Sequence, residues 1–265
     1  MRRTGKTRNW IMTTNVSNKL ACVIAFAVVM LAAQKASGAT YSYLEFNPTN
    51  TLADSSGNGR VMGTPPTGVT FADAAAVFDG TQGHWIMQNP DNVDNKQTFG
   101  STQGLTVEAF VQTTSAKGTL CELHDYVWKR AGAFNFMAGS GTDNLTGSYD
   151  GTGSGTYHYE TASFPTDGEW HHVALAIQRD AANTNNIVRL YLDYLQVGVD
   201  TRSSATANAF PVHWLSVGAR QGGSLQFTGK IDDFRITAAP AVLTPAQFIQ
   251  ERTSPILKGT IILVK

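Results

Sequence analysis

The segments Val173-Ala-Leu-Ala-Ile177 and Val188-Arg-Leu-Tyr-Leu-Asp-Tyr194 decide the fold of this chain. In both segments, every second residue is apolar. In the second segment, Arg189 and Asp193 lie on the side opposite to the apolar residues. A period of two with one apolar side is typical of a strand whose sheet covers a core on one face. The two segments therefore predict neighbouring strands of an antiparallel sheet.

The same alternation recurs in both directions along the chain. Short apolar segments are separated by turn clusters such as Asp54-Ser-Ser-Gly-Asn-Gly59, and regular short strands with such turns indicate a sandwich or a barrel. Only residues 244–251 look helical, with Thr244 as the N-cap and Pro245 at the first helical position. The other predicted strands are 41–46, 76–78, 105–111, 119–123, 134–137, 157–160, 215–217 and 230–237.

The first 38 residues differ in composition from the rest of the chain. A basic stretch precedes the apolar run 20–33, and small residues follow it up to Gly38 and Ala39. This order is typical of a secretory signal peptide. We therefore predict a signal peptide at 1–38, one domain at 39–250, and a C-terminal tail or edge strand at 251–265. The expected location is secreted, either extracellular or periplasmic.

Charge and cysteine content narrow the function classes. The whole chain has 20 basic and 20 acidic side chains, and residues 1–38 hold six of the basic ones and none of the acidic ones. The remaining domain is acidic, which argues against nucleic acid as a partner. Cys22 would leave with the signal peptide. Cys121 would then have no partner for an intrachain disulfide.

Five motifs follow one another in an order that points to a family. They are Leu44-Glu-Phe46, Ala76-Val-Phe-Asp-Gly80, Leu105-Thr-Val-Glu-Ala-Phe-Val111, Gly168-Glu-Trp-His-His-Val173 and Gly229-Lys-Ile-Asp-Asp-Phe-Arg-Ile236. This ordered set resembles the laminin-G-like jelly rolls of the concanavalin A-like lectin and glucanase superfamily. The resemblance implies an all-β fold, a two-sheet antiparallel jelly-roll sandwich. One departure is Asp193-Tyr194, where the family usually has Asp-Gly, so we expect a turn of another type or a longer turn there.

The resemblance also raises the question of catalysis. Laminarinase-type glucanases on this fold carry a Glu-x-Asp-x-Glu motif, which is absent from this chain. We interpret Glu108 as a structural residue of the sheet. His171 and His172 are neighbours in a strand and point to opposite faces, so they do not chelate one metal ion together. Cys121 near His124 lacks a readable third residue, and we interpret it as a buried thiol.

Aromatic side chains are candidates to stack on sugar rings. Trp128 and Tyr126 lie in the polar context His124-Asp-Tyr-Val-Trp-Lys129 and are the predicted ligand-binding residues. Packing at the edge of the core is the alternative reading of both. Trp170 and Trp214 flank apolar strands and are predicted to be core residues.

A calcium ion is the predicted cofactor. The loop containing Asp54 and Asn58 offers oxygen ligands, which calcium prefers. Asp232 shares a side with Phe234 and Ile236 and should point inward, where a bare carboxylate is costly. The resemblance places the first and last strands side by side, which would bring the three ligands together. An arginine beside Asp232, or an Asx-turn at Asp54, would serve equally well.

These observations favour a secreted, non-catalytic binding module of the carbohydrate-binding or adhesion type. Its ligand binding is either dependent on calcium or independent of it. The expected partner is a carbohydrate or an extracellular protein. The alternatives are a structural or protein-interaction domain and a glycoside hydrolase that lacks the usual glucanase motif.

Overall fold

The computed structural model describes residues 39–46, 52–99, 104–115, 117–124, 133–140, 144–150, 157–180, 185–203, 210, 213–220 and 222–252. The predicted signal peptide lies outside the described residues. Fourteen strands and one 3-10 turn, Pro245–Gln247, lie within them. The strands are β1 (Ala39–Leu44), β2 (Val69–Ala72), β3 (Ala75–Asp79), β4 (Trp85–Ile86), β5 (Gly104–Gln112), β6 (Lys117–His124), β7 (Phe134–Ser140), β8 (Asn144–Asp150), β9 (Tyr157–Ser163), β10 (Trp170–Asp180), β11 (Asn185–Leu192), β12 (Leu195–Ser203), β13 (Trp214–Val217) and β14 (Thr228–Ala239).

The strands form two antiparallel sheets. The larger sheet has eight strands in the order β12-β11-β10-β5-β14-β3-β2, and β1 also pairs with β14. The smaller sheet has six strands in the order β4-β13-β6-β7-β8-β9. Pairing of the first strand with the last, Leu44 opposite Phe234, brings the two ends of the domain together. The predicted all-β, two-sheet sandwich is confirmed.

One apolar core fills the space between the sheets. The inward residues of β5, β10 and β11 alternate with outward ones, as the sequence pattern predicts, and they meet the inward residues of β6, β7, β8 and β13. Trp85 is 1 % exposed and belongs to this core. Burial of such side chains contributes about 25 cal/mol per Å² of apolar surface removed from water. The core therefore holds the two sheets face to face.

The turn between β11 and β12 departs from the expectation. Leu192 pairs with Leu195, so the loop has only two residues, Asp193 and Tyr194, and both have positive φ, 47° and 68°. Positive φ at both positions is what a type I′ hairpin requires. The expectation of a different or longer turn was wrong. The Tyr194 hydroxyl donates to the backbone carbonyls of Ile249 and Gln250, and this contact holds a residue that the backbone geometry disfavours.

A C-terminal strap, residues 240–252, covers the outer face of the eight-stranded sheet. Leu243 and Phe248 pack there against Ala174, Ala176 and Tyr191. The helix predicted at 244–251 is instead the single 3-10 turn that follows Thr244. Most of the predicted tail, residues 253–265, lies outside the described residues.

Candidate functional site

A row of polar residues crosses the outer face of the six-stranded sheet. Ser216 pairs with Glu122, Glu122 with Asn135, and Asn135 with Ser148, so the row spans β13, β6, β7 and β8. Each of these residues lies between inward-facing core residues of its strand, and alternation therefore turns it away from the core. We call these four residues the polar row. No sequence pattern predicted it.

A buried carboxylate lies at the centre of the polar row. Glu122 is 2 % exposed, and its Oε1 lies 3.0 Å from Nε of Arg220. The amide nitrogen of Asn135 lies 3.4 Å from the same oxygen, at the long end of hydrogen-bond range. The hydroxyl of Ser216 donates to the backbone carbonyl of Ala219 at 3.0 Å. The row thus places a carboxylate, a guanidinium, an amide and hydroxyls close together, and all four of its residues are buried.

Trp214 stands beside the polar row rather than in the core. It pairs with His124 across β13 and β6, on the outer face. Its indole N–H donates to the backbone carbonyl of Asp94 at 2.7 Å, and Nζ of Lys96 lies 4.9 Å from the ring centroid. Trp170 is also half-buried outside the core, with the Arg252 guanidinium 4.2 Å from its ring centroid. The prediction that both tryptophans are core residues was wrong.

The two predicted sugar-stacking residues, Tyr126 and Trp128, lie outside the described residues. They follow His124, the last residue of β6, which pairs with Trp214. Their contact with a ligand stays a prediction.

The predicted calcium ligands in the first loop have other partners. Oδ1 of Asp54 accepts the backbone N–H groups of Tyr43 and Ser56, and Oδ2 accepts that of Arg60, all at 2.9–3.0 Å. The Asn58 amide donates to the backbone carbonyl of Thr40 at 2.8 Å. Asp54 therefore forms an Asx-turn that stabilises the loop. This was the alternative to calcium binding at Asp54.

Asp232 is buried on the outer face of β14, with an arginine beside it, and the expectation that it points into the core was wrong. A bulge between Asp232 and Arg235 shifts the alternation, so Asp232 lies opposite Phe110. Nε of Arg252 lies 3.0 Å from Oδ2, and the backbone N–H of Asp233 donates to Oδ1 at 2.8 Å. Burial, reinforced by the neighbouring Asp233, raises the pKa of Asp232 to about 8, while Arg252 opposes this rise. Within the described residues, no group of three His, Cys, Asp or Glu side chains could hold a metal ion. These contacts do not fit an ion shared by Asp54, Asn58 and Asp232, so we no longer expect calcium there, and a melting experiment with chelator is the test.

Glu108 lies on the outer face of the eight-stranded sheet, under the C-terminal strap. Its carboxylate contacts Nε2 of His172 at 2.9 Å, Nε of Arg235 at 2.8 Å and the backbone N–H of Ile249 at 2.9 Å. His172 stacks between Tyr194 and Phe248. A carboxylate that is fully buried and held by three donors stabilises the packing of the strap, which supports a structural role for Glu108.

The other catalytic candidates are also separated by the fold. Cys121 faces the core and His124 faces outward, so the two do not form a nucleophile pair. Burial, and then the charge of Glu122, raise the pKa of the Cys121 thiol, which keeps it protonated. His171 contacts Asp193 and Asp167. Burial alone would lower its pKa, but these hydrogen bonds raise it.

Comparison with known proteins gives a family and a shared fold. The family model of the concanavalin A-like lectin/glucanases superfamily matches residues 88–247. The binding domain of botulinum neurotoxin serotype C1 superposes with a TM-score of 0.54 at 12 % identity, covering 78 % of this chain and 50 % of that one. The binding domain of Paraclostridial Mosquitocidal Protein 1 gives 0.52 at 14 % identity, covering 78 % and 50 %. A second botulinum neurotoxin type C structure gives 0.52 at 13 % identity, covering 78 % and 49 %.

This chain thus spans about half the length of the solved chains that it matches. At such low identity, the likeness shows a common fold. No curated protein sequence matches the chain. In the part of the chain that the structure describes, no helix is long and apolar enough to cross a membrane.

Proposed function

Because the chain belongs to the concanavalin A-like lectin/glucanase superfamily, we propose that it is a non-catalytic binding module whose ligand is a carbohydrate. The observation that carries this proposal is the polar row on the outer face of the six-stranded sheet, with Glu122 at its centre and Trp214 beside it. The fold alone does not determine the function, and we infer the class of ligand from the chemistry of this face.

The chemistry of the polar row suits a ligand rich in hydroxyl groups. A carboxylate accepts hydrogen bonds from hydroxyls, a guanidinium donates them, and an amide does both. Glu122, Arg220 and Asn135 supply these three groups within one short network. The indole ring of Trp214 offers an apolar surface on which a sugar ring can stack. Since the groups are held by sheet pairing, little conformational entropy is lost on binding.

One of the solved structures supports the same class of ligand. Cell entry of botulinum neurotoxin type C is dependent upon interaction with two ganglioside molecules, and gangliosides carry sugars. This chain shares the fold of that neurotoxin's domain. We extend only the class of ligand, a glycan, to this chain. Export through the predicted signal peptide would expose the module to glycans outside the cell. The alternative partner is an extracellular protein.

A glycoside hydrolase is the second candidate, because a second buried acid lies on the same face. Asp150 follows Ser148 by two residues on β8, so it shares the outer face with Glu122. We nevertheless expect no hydrolysis, because Glu122 is engaged by Arg220 and Asn135. Incubation with laminarin and mixed-linkage glucan tests this expectation. Reducing ends released by the wild type and abolished in Glu122→Gln would establish the hydrolase instead.

The binding test is a glycan-array screen of residues 39–265, followed by titration of the best glycan. Glu122→Gln keeps the shape of the side chain and removes its charge. Loss of a hydrogen bond to a charged group costs about 1.5–3 kcal/mol, so affinity should fall about tenfold or more. Glu169→Gln, the same change at an exposed position before β10, should leave affinity unchanged. Equal affinity of the two variants, or no glycan bound by the wild type, would contradict the proposal.

A further inference from the structure

A buried arginine lies at one end of the sandwich, on the core side of the eight-stranded sheet. Arg179, the residue before the last of β10, shares its side with the core residues Leu175 and Ile177. It is 4 % exposed. Among the side chains that the structure describes, its guanidinium makes no ion pair, and its Nε has no hydrogen-bond partner. A guanidinium stays charged at every physiological pH, so within the described part of the chain this buried charge lacks an anion.

An asparagine with open hydrogen-bonding groups lies directly opposite. Asn186 of β11 pairs with Arg179 of β10, and both side chains point between the sheets. Asn186 is 1 % exposed, yet neither its amide nitrogen nor its carbonyl oxygen has a hydrogen-bond partner among the described residues. Buried polar atoms are nearly always hydrogen-bonded, so this amide keeps both a donor and an acceptor that another group can use.

Two aromatic residues of the described part of the chain lie beside Arg179. Arg179 donates a hydrogen bond to the hydroxyl oxygen of Tyr149 on β8. Burial raises the pKa of Tyr149 to about 12, so the phenol stays neutral and does not supply the missing negative charge. The guanidinium lies 5.4 Å from the ring centroid of Phe210, which packs against Tyr149. Asp150 faces the opposite side of β8 from Tyr149 and is therefore turned away from Arg179.

We infer that Arg179 and Asn186 form a second binding site, for the carboxylate of a small hydroxy acid or of a uronic acid residue. The planar guanidinium accommodates a carboxylate, and the Asn186 amide N–H adds a donor to it. The Asn186 carbonyl accepts a hydroxyl next to the carboxylate, and Phe210 supplies an apolar wall. The site lies on the core side of β8 and β10, whereas the polar row lies on the outer face of β8. It is thus independent of the proposed glycan face.

A comparison of glucuronate with glucose tests the inference, because the two differ in the carboxylate. With the purified domain, glucuronate should raise the melting temperature and bind in calorimetry, while glucose at the same concentration should do neither. Acetate tests whether the carboxylate alone suffices, and an oligouronide tests whether the end of an acidic polysaccharide is accepted. Sodium chloride at equal ionic strength is the baseline. Equal responses to glucuronate and glucose, or no response to any carboxylate, would mean that water fills the space and would overturn the inference.

The variant Asn186→Asp makes the test specific, because it supplies a carboxylate from the chain itself. The side chain keeps its shape and gains the negative charge that Arg179 lacks. We expect a higher melting temperature without ligand and binding of glucuronate weakened at least tenfold. Asn185→Asp, the same change on the opposite face of β11, should leave both properties unchanged. A lower melting temperature for Asn186→Asp, or unaltered glucuronate binding, would contradict the assignment.

Discussion

Asp232 shows how one buried residue couples the stability of the domain to pH. Its pKa is raised to about 8 by burial and by Asp233, whereas an aspartate in an unfolded chain has a pKa of about 3.9. Between these two values, the folded state holds a proton that the unfolded state has released. The free energy of unfolding therefore falls as the pH rises from about 4 to about 8.

The first prediction is a pH dependence that Asp232→Asn removes. The wild type should lose up to about 1.4 kcal/mol of unfolding free energy for each pH unit in this range, because one unit of pKa difference corresponds to that amount. The asparagine side chain does not titrate, so the variant should show a flatter profile. Urea unfolding across the range measures both curves. A variant as steep as the wild type would assign the effect to other groups.

The second prediction concerns calcium. Asp54 accepts three backbone N–H groups. Asp232 accepts the backbone N–H of Asp233, and the Arg252 cation lies 3.0 Å from its other oxygen, so both side chains already have partners. We therefore expect chelator to leave the melting temperature of the wild type unchanged. An ion at hundredfold excess over its dissociation constant would instead add about 2.7 kcal/mol. A melting temperature that rises with calcium and falls with chelator, in the wild type but not in Asp232→Asn, would establish the calcium site at these residues.

The C-terminal strap is the element that depends most on single contacts. The backbone carbonyls of Ile249 and Gln250 in the strap accept hydrogen bonds from the Tyr194 hydroxyl. The Phe248 ring of the strap stacks on His172. The hairpin turn and the strap therefore hold each other, although neither has regular pairing with the other.

The third prediction is that Tyr194→Phe destabilises the domain by about 1 kcal/mol, the usual net value of one hydrogen bond. The ring, and hence its stacking on His172, is kept. Tyr191→Phe makes the same chemical change on β11, where the ring packs against Phe248, and it serves as the control. Chemical denaturation measures both variants. Equal stability of Tyr194→Phe and the wild type would show that the strap is held by apolar packing alone.

At the scale of the whole molecule, the sequence predicted the sheets but not the polar row. Alternation depends on a strand alone, so the apolar face of β10 was visible at Val173, Leu175 and Ile177. The polar row needs the cross-strand register, which two irregularities in β6 shift between Lys117 and Cys121. No local pattern encodes such shifts. In the sequence, Glu122 and Asn135 each appear as a single polar residue between apolar neighbours. Only the pairing of β6 with β7 brings them together.

The Asp193-Tyr194 turn was missed for a related reason. Local propensity disfavours tyrosine at positive φ, and the strap contact that compensates lies 55 residues away in sequence. The inward direction of Asp232, expected from its alternation with Phe234 and Ile236, was wrong: a bulge between Asp232 and Arg235 shifts the alternation, so Asp232 lies opposite Phe110 on the outer face. Only its burial was predicted correctly. Its partner Arg252 could not be predicted, because a terminal segment carries no periodic pattern that indicates where it packs.

The fourth prediction concerns residues 1–38. We expect an exported product to lack them, because a basic stretch, a short apolar run and small residues precede the first strand. Intact mass spectrometry of the secreted protein measures the result. A mass that retains the run 20–33 would mean that the segment is kept as a tether.

The buried thiol of Cys121 can report how often the strand that carries Glu122 opens. Its side chain points into the core from the strand that carries Glu122, and it is fully buried. A thiol reagent reaches it only when β6 opens, so the rate of labelling measures the frequency of opening at that strand. A glycan bound on the opposite face of β6 should lower the rate at which Cys121 is labelled. The extent of Cys121 labelling, measured by mass spectrometry, would then report glycan binding without a dye or an engineered cysteine.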